Sequence, residues 1–130
     1  MVAESGSERS QILTELPEEF LRGVALFNDG GFYECHEVWE TVWLRATGDE
    51  REFLHAMIQA AAAMLHARRG NWKGAQSVGA RAMGKLEKLP AVMMQVETRE
   101  FLVSFKKFLA AEIAAFPRIT FQDKGQNKNP

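Results

Sequence analysis

The stretch Phe53-Leu54-His55-Ala56-Met57-Ile58-Gln59-Ala60-Ala61-Ala62-Ala63-Met64-Leu65-His66-Ala67 holds no Asp, Glu, Lys or Arg. At 100° per residue, Leu54, Met57, Ile58, Ala61, Met64 and Leu65 fall on one side of a helix. The opposite side carries Ala56, Gln59, Ala60 and Ala63 rather than charges. A helix uncharged for four turns must be buried on most sides, so this one, predicted over Glu50–Arg69, belongs at the centre of a bundle. The run is too short, and too rich in His and Gln, to span a bilayer.

Further helices read outward from that centre. Before it, Pro17 suits a first helical turn, and Glu18 and Glu19 complement its positive end. Leu16, Phe20, Val24 and Phe27 follow at helical spacing, and Asn28-Asp29-Gly30-Gly31 stops the run. A second helix is predicted over Phe32–Ala46, with Phe32, Cys35, Trp39, Val42 and Ala46 as its core stripe. Gly48-Asp49 breaks the chain before the central helix. After that helix, Gly70 is a stop and Asn71 an N-cap. Ala75, Gly79, Ala82, Leu86 and Leu89 give the fourth helix its inner face, and Pro90 closes it. A linker through Met93 and Met94 leads to a fifth helix over Glu97–Phe116. There Phe101, Leu102, Phe105, Phe108, Leu109, Ile113 and Phe116 cover two adjoining rows. The expected organisation is a loose arm at 1–15, a helical bundle at 16–117 and a polar tail at 118–130.

The expected fold is therefore all-α: a single bundle of about five helices built from antiparallel helical hairpins. A shift of 40 positions aligns Gly30 with Gly70, Phe32 with Trp72, Cys35 with Ala75 and Val38 with Val78. This gives the bundle a faint tetratricopeptide-like character, against which stands chance similarity between two amphipathic hairpins.

Composition narrows the function classes. Sixteen basic and 17 acidic residues give a net charge of −1, which offers no global basic surface for nucleic acid. Arg68, Arg69, Lys73, Arg81, Lys85 and Lys88 cluster around the third and fourth helices. Such residues are ordinarily a solvated face with favourable helix-end charges. Cys35 is the single cysteine, so no internal disulfide forms, and a reducing cytoplasm is the expected location. No signal peptide or membrane segment is visible. No phosphate loop, nucleophile elbow or paired CxxC motif is present.

The segment Phe27-Asn28-Asp29-Gly30-Gly31-Phe32-Tyr33-Glu34-Cys35-His36-Glu37-Val38-Trp39-Glu40 resembles the signature of a small all-helical prokaryotic family, domain of unknown function 309. In that family a Gly-and-aromatic turn leads into a His-Glu-x-x-Glu helix. Ile58-Gln59-Ala60-Ala61-Ala62, His66 and Gly70-Asn71-Trp72-Lys73-Gly74-Ala75 form a second matching stretch. Cys35 stands where the family often has Ala. The resemblance implies a helical bundle and no known reaction.

The candidate chemistry centres on His36, Glu37 and Glu40. His36 and Glu40 lie one turn apart on a shared helix edge, with Trp43 between them in angle; Glu37 points elsewhere. An imidazole and a carboxylate at this spacing can meet one divalent ion, but two ligands are too few for a tight site, so no metal and no cofactor are expected. Position 40 is Glu, which breaks the His-Glu-x-x-His zinc-protease pattern, and no Glu-x-x-His pair supports a di-iron site. On the central helix His55, Gln59, Ala62 and His66 share one side. A buried Gln left unpaired would cost roughly 1–3 kcal/mol, and the expected partner is His36 or Glu40. Gln59, His36 and Glu40 then form either a polar pin fixing helix register or a pocket floor walled by Trp39 or Trp43.

The sequence favours a small binding or assembly module over an enzyme. The alternative is a metal-dependent or small-molecule enzyme around His36, Glu40 and Gln59. The expected partners are a second copy of the chain, another protein or a small molecule. The homodimer is argued from the second apolar row of the fifth helix, with Met93 and Met94 beside it. A concave pocket lined by the candidate residues would favour the enzyme, and a filled interior the module.

Overall fold

The uncharged run does form a buried central helix. The computed structural model describes residues 16–123, so the arm at 1–15 and the end of the tail lie outside the described residues. Within them are five helices: α1 (Glu18–Asn28), α2 (Phe32–Trp43), α3 (Gly48–Arg68), α4 (Trp72–Leu86) and α5 (Thr98–Leu109). A two-stranded hairpin, β1 (Val92–Met93) and β2 (Val96–Glu97), precedes α5. Helix α3 packs between α2 and α4, and buries residues on nearly every side, from Phe53 and Leu54 through Ala60 and Ala61 to Met64 and Ala67. The chain is thus an all-α bundle with one small hairpin.

The two helix-connecting turns implied by the 40-residue repeat have the same geometry. Gly30 and Gly70 both take left-handed φ values, 90° and 81°. The Gly30 and Gly70 amides donate to Phe27 and Ala67, and those of Gly31 and Asn71 to Leu26 and His66. Both turns satisfy the last carbonyls of a helix, and only Gly adopts that conformation without a Cβ penalty. Asn71 then caps α4, its side chain accepting from the Gly74 amide at 2.9 Å.

The core is rich in aromatic rings. Trp39 is completely buried, stacks between Phe20 and Phe27, and donates its indole N–H to the Phe20 carbonyl at 3.2 Å. Phe27 meets Phe101 edge-on, which ties α1 to α5. Trp39 is therefore a core residue, not the wall of a site.

Three expectations change. Helix α2 ends at Trp43, not Ala46, because Arg51 reaches back and donates to the Trp43 and Ala46 carbonyls at 3.1 and 3.3 Å. The Met93–Met94 linker is a hairpin. Met94 and Gln95 both have positive φ, as a two-residue primed turn requires, and Met93 is buried. Helix α5 ends at Leu109, although Ala110, Ala111 and Glu112 are good helix formers. Ala111 takes φ 62°, and the chain turns so that Phe116 packs on Phe32 and Phe108. Tertiary packing of one large ring outweighs local propensity here.

The segment beyond Pro117 returns to the bundle as far as it is described. Ile119 is buried, its backbone N–H and carbonyl both held by the Asn28 side chain, and Phe121 pairs with Val96. Both apolar rows of α5 are covered by the same chain: Phe101, Leu102, Phe105, Phe108 and Leu109 are all buried. Ile113 and Phe116, which continue those rows beyond α5, are partly buried. No helix among the described residues is long and apolar enough to cross a membrane.

Candidate functional site

Helices α2 and α3 leave a cavity of about 230 Å³ between them, lined by His36, Glu40, Trp43, His55, Ile58, Gln59 and Ala62. The helical repeat builds it. His36, Glu40 and Trp43 recur at i, i+4 and i+7 on α2, and His55, Gln59 and Ala62 do so on α3, so each helix contributes one stripe. Ala62 leaves room where a larger side chain would fill the space. Ile58 and the indole of Trp43 make much of the wall hydrocarbon.

Trp43 is held from two sides. Its ring lies 5.6 Å from that of His55, and the Arg51 guanidinium sits over it at 4.1 Å from the centroid. The same guanidinium donates to the Trp43 and Ala46 carbonyls, so one residue both holds the end of α2 and clamps the cavity wall. The indole N–H of Trp43 is buried and has no acceptor among the described residues. A buried donor left this way costs roughly 1–3 kcal/mol.

Gln59 has a different partner from the one expected. Its Oε1 accepts from Lys85 Nζ of α4 at 3.2 Å, and not from His36 or Glu40 of α2. The Lys85 stem is long enough to cross the helix interface, and its ammonium satisfies the amide oxygen without closing the cavity on the α2 side. Burial holds the His55 imidazole below its usual range; the nearby Lys85 charge adds to this, Glu52 opposes it, and Arg51 reinforces it. His55 is therefore neutral at neutral pH and able to accept or relay a proton.

The structure brings His36, Glu40, Trp43 and Gln59 together and leaves Glu37, His66 and Trp39 out. Glu37 is exposed and accepts a hydrogen bond from Tyr33, whose hydroxyl is pushed up by that bond and by the carboxylate charge. His66 Nδ1 lies 3.2 Å from Asn71 Nδ2 in the α3–α4 turn. His55, Lys85 and Arg51 complete the surroundings. The i, i+4 spacing of His55 and Gln59 marks His55 in the sequence; nothing local marks Lys85 or Arg51. Among the described residues, no group of three His, Cys, Asp or Glu is placed to hold a metal ion, although His55 lines the same cavity as His36 and Glu40. Cys35 is buried, and desolvation raises its thiol, so it stays neutral.

The profile of the family described as domain of unknown function DUF309 matches residues 20–78, from α1 into α4. A solved structure of a conserved hypothetical protein from Thermus thermophilus is 33% identical. Its TM-score is 0.64, and the match covers 74% of this chain and 99% of that one. This chain belongs to the DUF309 family. No curated protein matches it. For this DUF309 member, every residue lining the α2–α3 cavity lies inside the segment that matches the family profile, whereas Lys85 lies beyond it.

Proposed function

We propose that this protein is a small binding domain whose ligand occupies the α2–α3 cavity. The observation that carries the reading is the convergence of His36, Glu40, Trp43, His55 and Gln59 on one concave, mostly hydrocarbon-walled space. Pockets of this kind, apolar with a few placed polar groups, are the usual form of a small-molecule site. The ligand is a compact molecule with a flat apolar part against Ile58 and Trp43. An oxygen acceptor on it would complete the unpaired Trp43 N–H once the indole adjusts. Glu40 at the rim favours a hydrogen-bond donor or a cation there.

The second reading is an enzyme at the same place, favoured by the neutral, half-buried His55 beside Glu40 and His36. A general base needs that protonation state at neutral pH. Both readings are tested by titrating a library of small ring-bearing fragments into the 15N-labelled chain. We expect saturable shifts of the Trp43 indole N–H and the His55 ring that vanish in Ala62→Phe, which plugs the cavity. Shifts that persist in that variant, or no shift at Trp43 with any fragment, would refute the site.

A further inference from the structure

A second groove runs between the start of α3 and the latter half of α4, with a volume of about 470 Å³. Asp49 and Glu52 line it from α3, and Arg81, Lys85 and Lys88 from the α4 side. Opposite charges facing each other across a narrow groove ordinarily close into ion pairs. Among the described residues no such pair joins these walls; Arg45–Glu19 and Lys106–Glu87 pair elsewhere. Lys85 is turned toward Gln59 instead.

Helix-end electrostatics account for the signs of these charges, since Asp49 lies in the first turn of α3 and Lys85 in the last turn of α4. They do not account for Gly84, which also lines the groove. Glycine is the poorest helix former after proline. Gly23, Gly74 and Gly79, also within helices, have no room for a Cβ, each meeting a side chain at under 3.0 Å. A Cβ at Gly84 meets nothing within 4 Å, and its φ is not positive. Neither packing nor backbone geometry within the chain calls for glycine there. Its missing side chain leaves the groove open at that point.

We infer that this groove is a second ligand site, and that its occupant is a small zwitterion. Its ammonium group faces Asp49 and Glu52, and its carboxylate or phosphate faces Arg81 and Lys88 across the bare backbone at Gly84. A purely anionic ligand would meet the two carboxylates, and a purely cationic one the three cations. A molecule carrying both charges at separated ends satisfies both walls. This site is independent of the α2–α3 cavity, although Lys85, which lines the groove, bonds Gln59 of that cavity.

The experiment is an NMR titration of the full chain with 6-aminohexanoate, and separately with hexanoate and hexane-1,6-diamine. We expect saturable shifts at the Gly84 amide, with 6-aminohexanoate binding about tenfold more tightly than either single-charge compound, a difference of about 1.4 kcal/mol. Gly84→Leu puts a side chain into the groove from a position whose Cβ meets nothing within 4 Å, so it should abolish binding while the melting temperature holds or rises. Ala62→Phe should leave this titration unchanged, which separates it from the cavity reading. Equal binding of hexanoate or of the diamine would overturn the proposal. So would binding that survives Gly84→Leu, or no saturable shift with 6-aminohexanoate.

Discussion

Replacing Gly23 with Ala adds one methyl group to the middle of α1 and should cost about 3 kcal/mol. An ideal Cβ at Gly23 would lie 2.1 Å from Trp39 Nε1 and 2.4 Å from its Cδ1. Non-bonded heavy atoms settle at roughly 3.5–4.0 Å, so the indole must move by more than an ångström. It has little freedom to do so, stacked between Phe20 and Phe27 with ring centroids at 6.1 and 6.0 Å. Over-packing of this kind costs about 1–3 kcal/mol. Displacing the ring also breaks the Trp39 hydrogen bond to Phe20 and strands a buried donor, at roughly 1–3 kcal/mol. The better helix propensity of Ala returns about 1 kcal/mol, leaving a net loss between about 1 and 5. The same change at Gly84, where nothing lies within 4 Å, carries only the propensity gain and should stabilise by about 0.5–1 kcal/mol. Urea unfolding at 25 °C measures both, with the midpoint moving at constant slope. In a Trp39→Phe background, which removes the Nε1 that makes the shortest contact and the donor that would be stranded, the cost of Gly23→Ala should fall to less than half. A Gly23→Ala variant as stable as the parent, or strictly additive effects in the double variant, would refute the close approach of α1 to Trp39.

Ala111→Gly should stabilise the fold by about 1 kcal/mol, raising the melting temperature by a few degrees, because Ala111 is held at φ 62° where a Cβ is strained; no gain would mean that turn is formed differently. His55 should titrate below the usual imidazole range in an NMR pH series, and Lys85→Gln should move it upward, since Lys85 favours the neutral ring. With the folded-state value depressed, the unfolded chain binds more protons. The His55 contribution to stability is therefore complete above the unfolded value and is lost as pH falls toward the folded one. An unmoved titration in Lys85→Gln would count against that proximity. Gln59→Leu should cost no more than about 1 kcal/mol, because the freed Lys85 ammonium can turn to water; a double-mutant cycle should couple Gln59 to Lys85 and find Gln59 and His36 additive, and the reverse pattern would place Gln59 against α2 after all. Val103 is half-exposed on α5, and Val103→Glu should leave the light-scattering mass unchanged if both apolar rows stay within one chain.

Much of the candidate site is legible in the sequence. The i, i+4 spacing of His36 and Glu40 fixes a shared helix edge, and that of His55 and Gln59 fixes another, whatever the bundle does around them. Two parallel stripes on consecutive helices then have few ways to avoid each other. The partner of Gln59 was not legible, because Lys85 lies 26 residues away and a long flexible side chain leaves no periodic trace. Arg51 was hidden for the same reason: on sequence it is one more charge in the first turns of α3, and only its return to Trp43 gives it a role. Trp39 and Trp43 differ by one helical turn. One is at the centre of the core and the other at a cavity wall, and nothing in their identity distinguishes them.

By itself the sequence determined that the central helix would be buried, because four turns without charge cannot face water. It determined both glycine turns, because a left-handed cap excludes side chains on local steric grounds. It determined which residues of each helix share a face, because 3.6 residues per turn is a property of the backbone alone. Only the tertiary structure decided where α5 stops, because a ring at Phe116 seated on Phe32 and Phe108 outweighs the helical preference of Ala110 and Ala111. It alone decided that Ile119 belongs to the core, through a single Asn28 side chain 91 residues away. It also decided that α2 and α3 leave a space between their polar stripes, because the size of a gap depends on how far apart two helices settle, and every other contact in the bundle sets that distance.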